Sequence, residues 1–144
     1  MKEVLHGALR GAIAAMAMTG MRAFTISTGL VKEAPPTAIA RQKAKAMFRL
    51  TPKRKRRAGL ELMHWGYGAV GGAAFGALPD EVRRRHWAGP VYGLLVWLGF
   101  ELGIAPLLDL SQAKRVRPVE RLMLALDHLL YGLVLSETRS RPRD

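Results

Sequence analysis

Residues 88–108 read AGPVYGLLVWLGFELGIAPLL, twenty-one positions with a single charge at Glu101. That length matches the roughly 20 apolar residues a helix needs to cross the hydrocarbon core of a bilayer. From Val91 to Phe100 the stretch is apolar on every side, whereas a soluble helix carries a polar stripe at every third or fourth position. Two further stretches have the same length, Gly11 to Val31 and Ala58 to Leu78. A fourth, Val119 to Leu135, has 17 residues and sits at the lower limit. Pro118 is placed as its first-turn proline, and Arg121 lies near enough to its start to snorkel to the interface. A chain of 144 residues cannot build a soluble core that surrounds several all-apolar helices, so lipid is the better solvent. The expected fold is all-α: a four-helix transmembrane bundle forming one integral membrane domain over 1–144. Its spans are expected near 11–31, 58–78, 88–108 and 119–135, with a basic loop or surface helix between spans one and two.

The mean hydropathy of +0.04 is low for such a protein because the connections are basic. Lys and Arg number 23 against 11 Asp and Glu, a net charge of +12. Ten of these cations fall between Lys32 and Arg57, ending in Lys53, Arg54, Lys55, Arg56 and Arg57. After Pro35 and Pro36, Thr37 can cap a short helix to about Leu50, a segment suited either to an anionic lipid surface or to solvent. Nucleic acid is not an expected partner, because the charges adjoin membrane spans and no aromatic stacking platform accompanies them. Loops one and three together hold 13 Lys/Arg and the opposite side holds 8. The positive-inside rule then puts both termini outside, with Arg83, Arg84 and Arg85 competing against that orientation. Lys2 before an apolar run also suits a signal peptide, but Arg10 and Arg22 interrupt the run, so it is read as a retained span.

Gly68, Gly72 and Gly76 recur every four residues and line one helix face, permitting close backbone approach. Gly7, Gly11, Ala15 and Thr19 form a similar row in span one. A pentad also repeats: His64-Trp65-Gly66-Tyr67-Gly68 in span two and His128-Leu129-Leu130-Tyr131-Gly132 in span four, with a weaker echo at Gly89-Pro90-Val91-Tyr92-Gly93. In a helix the His and Tyr share a face and the Gly leaves space beneath the imidazole. Spans two and four run in the same direction, so the repeat suggests related halves built from paired helices. Tyr67, Tyr131 and Gly132 are accordingly grouped with the packing glycines.

Counted from the span ends at 1.5 Å per residue, Arg22, His64, Glu101, Asp127 and His128 all fall about 10 to 14 Å from one membrane face. Ionisable groups cost several kcal/mol in lipid, so this polar layer is expected to pair within the bundle. Glu101 is the natural partner for Arg22, with Asp127 orienting a histidine or pairing with the same arginine. Glu61 reads as interfacial, without a special role. The layer admits three readings: a satisfied polar core that fixes helix register, a proton, ion or small-solute pathway, or a metal or haem site using His64, His128 and Glu101 or Asp127.

The small-residue-rich first span, the His-led glycine-rich second span from His64 to Gly76, the polar residue in the third and the Asp127 to Gly132 stretch of the last resemble the YagU-like family of small inner-membrane proteins. The resemblance covers most of the chain and implies a cytoplasmic (inner) membrane location without catalytic residues to carry over. The short, densely basic first loop departs from the longer loop of that family.

Hydrolytic chemistry has no support: the sequence lacks a nucleophile elbow, a phosphate-binding glycine loop and a His-Glu-x-x-His helix. With no cysteine, disulfides and thiolate metal sites are excluded. The leading expectation is a structural or accessory subunit that works beside other membrane-protein subunits, in contact with lipid and anionic headgroups. The alternatives are a transporter built on the Arg/Glu/His cluster and a metal or haem enzyme, with no cofactor identified.

Overall fold

The computed structural model describes residues 1–32, 45, 50–107 and 117–136. The surface helix expected from Thr37 to about Leu50 falls almost wholly outside the described residues. Among the described residues the chain is all-helical. The elements are α1 (Lys2–Ser27), α2 (Lys53–Gly76), the single turn α3 (Asp80–Arg83), α4 (Ala88–Gly99) and α5 (Pro118–Ser136). α4 runs on without a break through a π turn at Phe100–Ile104 and a final turn at Ala105–Leu107.

Element boundaries follow local chemistry. α1 starts nine residues before the apolar stretch and stops short of Val31, because a first turn of charged residues costs little at a helix end while Gly29 forces a stop. Gly29 has φ of 74°, a left-handed conformation that glycine adopts without the Cβ penalty, and its N–H donates to Ile26 O at 3.0 Å. α2 follows Pro52 and α5 opens on Pro118, where a missing N–H leaves no internal bond unmade. In α4 the hydrogen-bond register widens to i→i+5 just before Pro106, with Ala105 N–H donating to Phe100 O. Proline's ring and absent N–H do not fit the regular ladder, and the π turn accommodates them.

The four long helices alternate in direction. α1 packs on α2, α4 on α5, and α1 on α5, while α2 and α4 touch only locally. Both main interfaces are glycine contacts. A Cβ built on Gly11 would lie 2.8 Å from Gly72 Cα and nearer still to Gly68 O, and one on Gly68 would lie 2.5 Å from Ala15 Cβ. In the second pair, a Cβ on Gly132 would lie 2.6 Å from Gly89 C, and one on Gly93 would collide with His128 O. Removing side chains lets backbones meet, and van der Waals contact along the whole crossing then holds the helices.

The interior is small-residued and partly charged, and the exterior is large and apolar. Buried positions include Ala14, Ala15, Met18, Phe75, Ala88 and Leu135, together with Arg22, Arg83 and Asp127. The outward face of α1 carries Leu5, Leu9, Ile13 and Met16, and that of α4 carries Val91, Leu95, Leu98 and Leu102. Val70 is 69% exposed, Leu102 73% and Leu122 55%, so α2, α4 and α5 share the pattern. Among the described residues one helix, Ala88–Leu107, is long and apolar enough to cross a membrane by length and composition. The other three are less apolar: α1 carries Arg10 and Arg22 among small residues, α2 is rich in glycine with Glu61, His64 and Tyr67 in its length, and α5 carries Glu120, Arg121 and Asp127.

Candidate functional site

Arg22 lies on the face of α1 that Gly7, Gly11, Ala15 and Met18 have already committed to the interior, so its guanidinium enters the bundle. It is 7% exposed. Its Nη2 donates to Asp127 Oδ2 at 3.1 Å and lies 3.3 Å from His64 Nε2, dividing its two hydrogens between α5 and α2. Asp127 is 3% exposed, so the ion pair is shielded from solvent on both sides. Arg22 Nε and Asp127 Oδ1 are enclosed without a protein hydrogen-bond partner. Buried charges at this depth are stable only when paired, and the pair ties three helices together at one level.

The ring tautomers follow from what each nitrogen faces. A guanidinium has no acceptor, so His64 Nε2 accepts from Arg22 and the neutral ring carries its proton on Nδ1. His128 Nδ1 lies 2.8 Å from Leu124 O, a carbonyl with no proton to give, so Nδ1 donates and Nε2 holds the lone pair. Both imidazoles line a cavity of about 180 Å³ enclosed by α1, α2, α4 and α5. Its deep wall is Ala15, Met18 and Tyr131; Tyr67, Val70 and Ala74 of α2 and Val96 of α4 form its open edge.

Two of the lining tyrosines bond to the backbone of α2. Tyr131 Oη donates to Gly68 O at 2.6 Å and Tyr92 Oη to Gly71 O at 2.7 Å, each reaching backbone that glycine leaves uncovered. Tyr92 also tilts against Phe75, with ring centroids 5.1 Å apart. Tyr67, grouped with the packing residues from its place in the pentad, is exposed at the cavity rim. Gly132 and the row Gly68, Gly72 and Gly76 face neighbouring backbone.

Glu101 does not join Arg22. Its Oε1 lies 3.1 Å from Arg121 Nε, and Arg121 is thus an ion-pair partner rather than a free snorkelling end. The register of the α4–α5 contact explains the correction. From the Gly93–His128 contact, eight residues along α4 and seven back along α5 bring Glu101 opposite Arg121, well short of Asp127. Heights counted from hydropathy boundaries overlooked that offset, and four of the five residues gather while the fifth does not.

Two further clusters were missed. Glu61 Oε2 accepts from Thr19 Oγ1 at 2.8 Å, and Thr19 Oγ1 in turn accepts from Trp65 Nε1 at 3.1 Å, so Glu61 belongs to the α1–α2 seam. Arg83, read as one of three orientation-setting charges, is buried: it donates to Gly76 O at 2.8 Å, Glu3 Oε2 at 2.9 Å and Asp80. It caps the end of α2 and ties the start of α1 to it. The only sequence signal was its position one turn beyond Pro79, shortly after α2 ends.

Among the described residues no group of three or more His, Asp or Glu side chains converges as a metal site needs. Glu101 is occupied elsewhere and Asp127 is held by Arg22, so the ligand set considered from the sequence is not assembled. Compared with known proteins, the chain matches no family model, no curated protein and no solved structure.

Proposed function

We propose that the chain spans a cytoplasmic (inner) membrane four times and serves there as a non-enzymatic accessory subunit of a larger membrane assembly. The observation that supports this reading is the inverted distribution of residues along the bundle: large apolar side chains cover the outside of all four long helices, and the Arg22–Asp127 ion pair is enclosed between them. Water would penalise such an exterior by about 25 cal/mol per Å² of apolar surface, and lipid would not. At 1.5 Å per residue the four helices measure about 28 to 39 Å, matched to a core of about 30 Å. The stripe Leu5, Leu9, Ile13 and Met16 on α1 is a continuous apolar face suited to lipid or to another membrane helix. The kinship with the YagU-like family rests on the pattern of its spans.

Cysteine accessibility scanning on the cysteine-free chain tests the topology: residues at positions 4 and 86 should label from one face, and position 52 from the other. Labelling of positions 4 and 52 from the same face removes the membrane reading. The accessory role predicts that gentle lipid-preserving extraction yields a species heavier than the chain, and that Leu9→Asn with Ile13→Asn releases it as a folded chain. Migration of the wild type alone refutes that role. One observation favours a second reading, an ion or proton pathway: Arg22 Nε and Asp127 Oδ1 are enclosed without partners close to the histidine-lined cavity. Proton flux in liposomes that His128→Ala abolishes would select it.

A further inference from the structure

The two histidines that line the cavity carry hydrogen-bonding groups that the fold itself does not use. His64 has Nδ1–H left as a donor once Nε2 accepts from Arg22, and His128 has Nε2 left as an acceptor once Nδ1 donates to Leu124 O. Unlike Arg22 Nε and Asp127 Oδ1, these two nitrogens are not sealed away, and both rings line the cavity. A group that satisfies both must accept one hydrogen bond and donate another, which a neutral hydroxyl does. The hydroxyls of Tyr131 and Tyr92 are engaged with Gly68 O and Gly71 O, so these two side chains present ring faces and edges rather than competing donors.

Size and shape narrow the rest of the ligand. A cavity of about 180 Å³ is of the order that holds one six-membered ring, since about 150 Å³ suffices for benzene. Three tyrosines line it, and aromatic rings favour edge-to-face or offset contact with another ring. The open side lies between α2 and α4, past Val70, Ala74 and Val96, two helices that touch only locally, as at the Phe75–Tyr92 contact. That mouth is apolar and faces the same surroundings as the exposed stripes of the bundle. We infer that the groove between α2 and α4 is a binding site for a lipid-soluble phenolic ring, the class that includes hydroquinones, with its hydroxyl on His64 and His128 and its apolar tail leaving between the two helices. The path of the tail rests on the membrane placement proposed above; the fit of the ring does not.

Titration of the full chain in lipid nanodiscs with 4-nonylphenol, decylbenzene and 1-decanol tests the site, with empty nanodiscs subtracting simple partitioning. Saturable binding of 4-nonylphenol is expected, about tenfold tighter than decylbenzene, the loss expected when two hydrogen bonds together worth about 1.4 kcal/mol are missing. His128→Leu should remove that preference. Ala74→Trp, at an exposed position on the mouth, should abolish saturable binding while leaving the fold intact, so the test stands even where His128→Leu does not fold. Binding of 4-nonylphenol no greater than to empty discs overturns the proposal, as does equal affinity for decylbenzene. Equal affinity for 1-decanol overturns the ring. Repeating the titration with 4-methylphenol in detergent separates the two readings: ring binding there with a failed topology test sinks only the membrane placement.

Discussion

Gly72→Ala should destabilise the bundle even though alanine is the better helix former. A Cβ at position 72 would sit 2.7 Å from Gly11 Cα and 2.8 Å from Gly11 N, with Gly7 O closer still. These are backbone atoms of α1, so no side chain can swing away, and ordinary carbon contacts need about 3.5 to 4.0 Å. The helices must part by about 1 Å, loosening contacts along the row from Gly76 to Ala15. Overpacking of this kind costs about 1 to 3 kcal/mol, against a gain of about 0.5 to 1 kcal/mol from replacing a helical glycine. The net expectation is a loss of up to about 2.5 kcal/mol. Gly66→Ala supplies the internal control: a Cβ there meets nothing within 4 Å, so only the propensity gain remains and the variant should be neutral or more stable. Combining Gly11→Ala with Gly72→Ala should cost less than the sum of the two, because one separation relieves both clashes. Unfolding by SDS titration in mixed micelles measures all four variants. If Gly72→Ala matches Gly66→Ala in stability, the α1–α2 backbone contact is not present and the reasoning fails.

The ion pairs should separate sharply by burial. Asp127→Asn should cost about 3 to 5 kcal/mol by leaving the Arg22 charge enclosed, with partial recovery in the Arg22→Met, Asp127→Leu double variant. Glu101→Gln, whose partner Arg121 is half-exposed, should cost at most about 1 kcal/mol in the same unfolding assay, and the opposite order would reassign the central pair to Glu101. Arg83→Met should lose about 1 to 3 kcal/mol by uncovering Gly76 O and removing the Arg83–Glu3 bond, whereas Arg84→Ala, an exposed residue 3.5 Å from Asp80, should stay within about 0.5 kcal/mol of wild type. Tyr131→Phe should cost about 0.5 to 1.5 kcal/mol for its bond to Gly68 O, read as earlier SDS unfolding, and an unchanged midpoint would remove that bond from the account.

Helical content, the glycine-bare face of α2 and the presence of ionisable groups inside apolar stretches are local properties, and the sequence determined them. A four-residue glycine period describes a bare helix face wherever the helix is placed, and an Arg nine residues from the end of an apolar run is enclosed in any bundle. Which groups pair was not local. Arg22 meets Asp127 rather than Glu101 because the Gly89–Gly132 and Gly93–His128 contacts set the α4–α5 register, and that offset is a property of two surfaces fitting together. The boundaries of α1 moved for a related reason: hydropathy marks where charge ends, whereas Lys2 and Glu3 extend the helix and Gly29 stops it. Arg83 shows the same division. Three successive arginines look alike in sequence, and only the turn of the chain between α2 and α4 brings one of them onto Gly76 O. The donor on His64 and the acceptor on His128 belong wholly to the tertiary structure, since each ring's proton is placed by the atom that happens to face its other nitrogen.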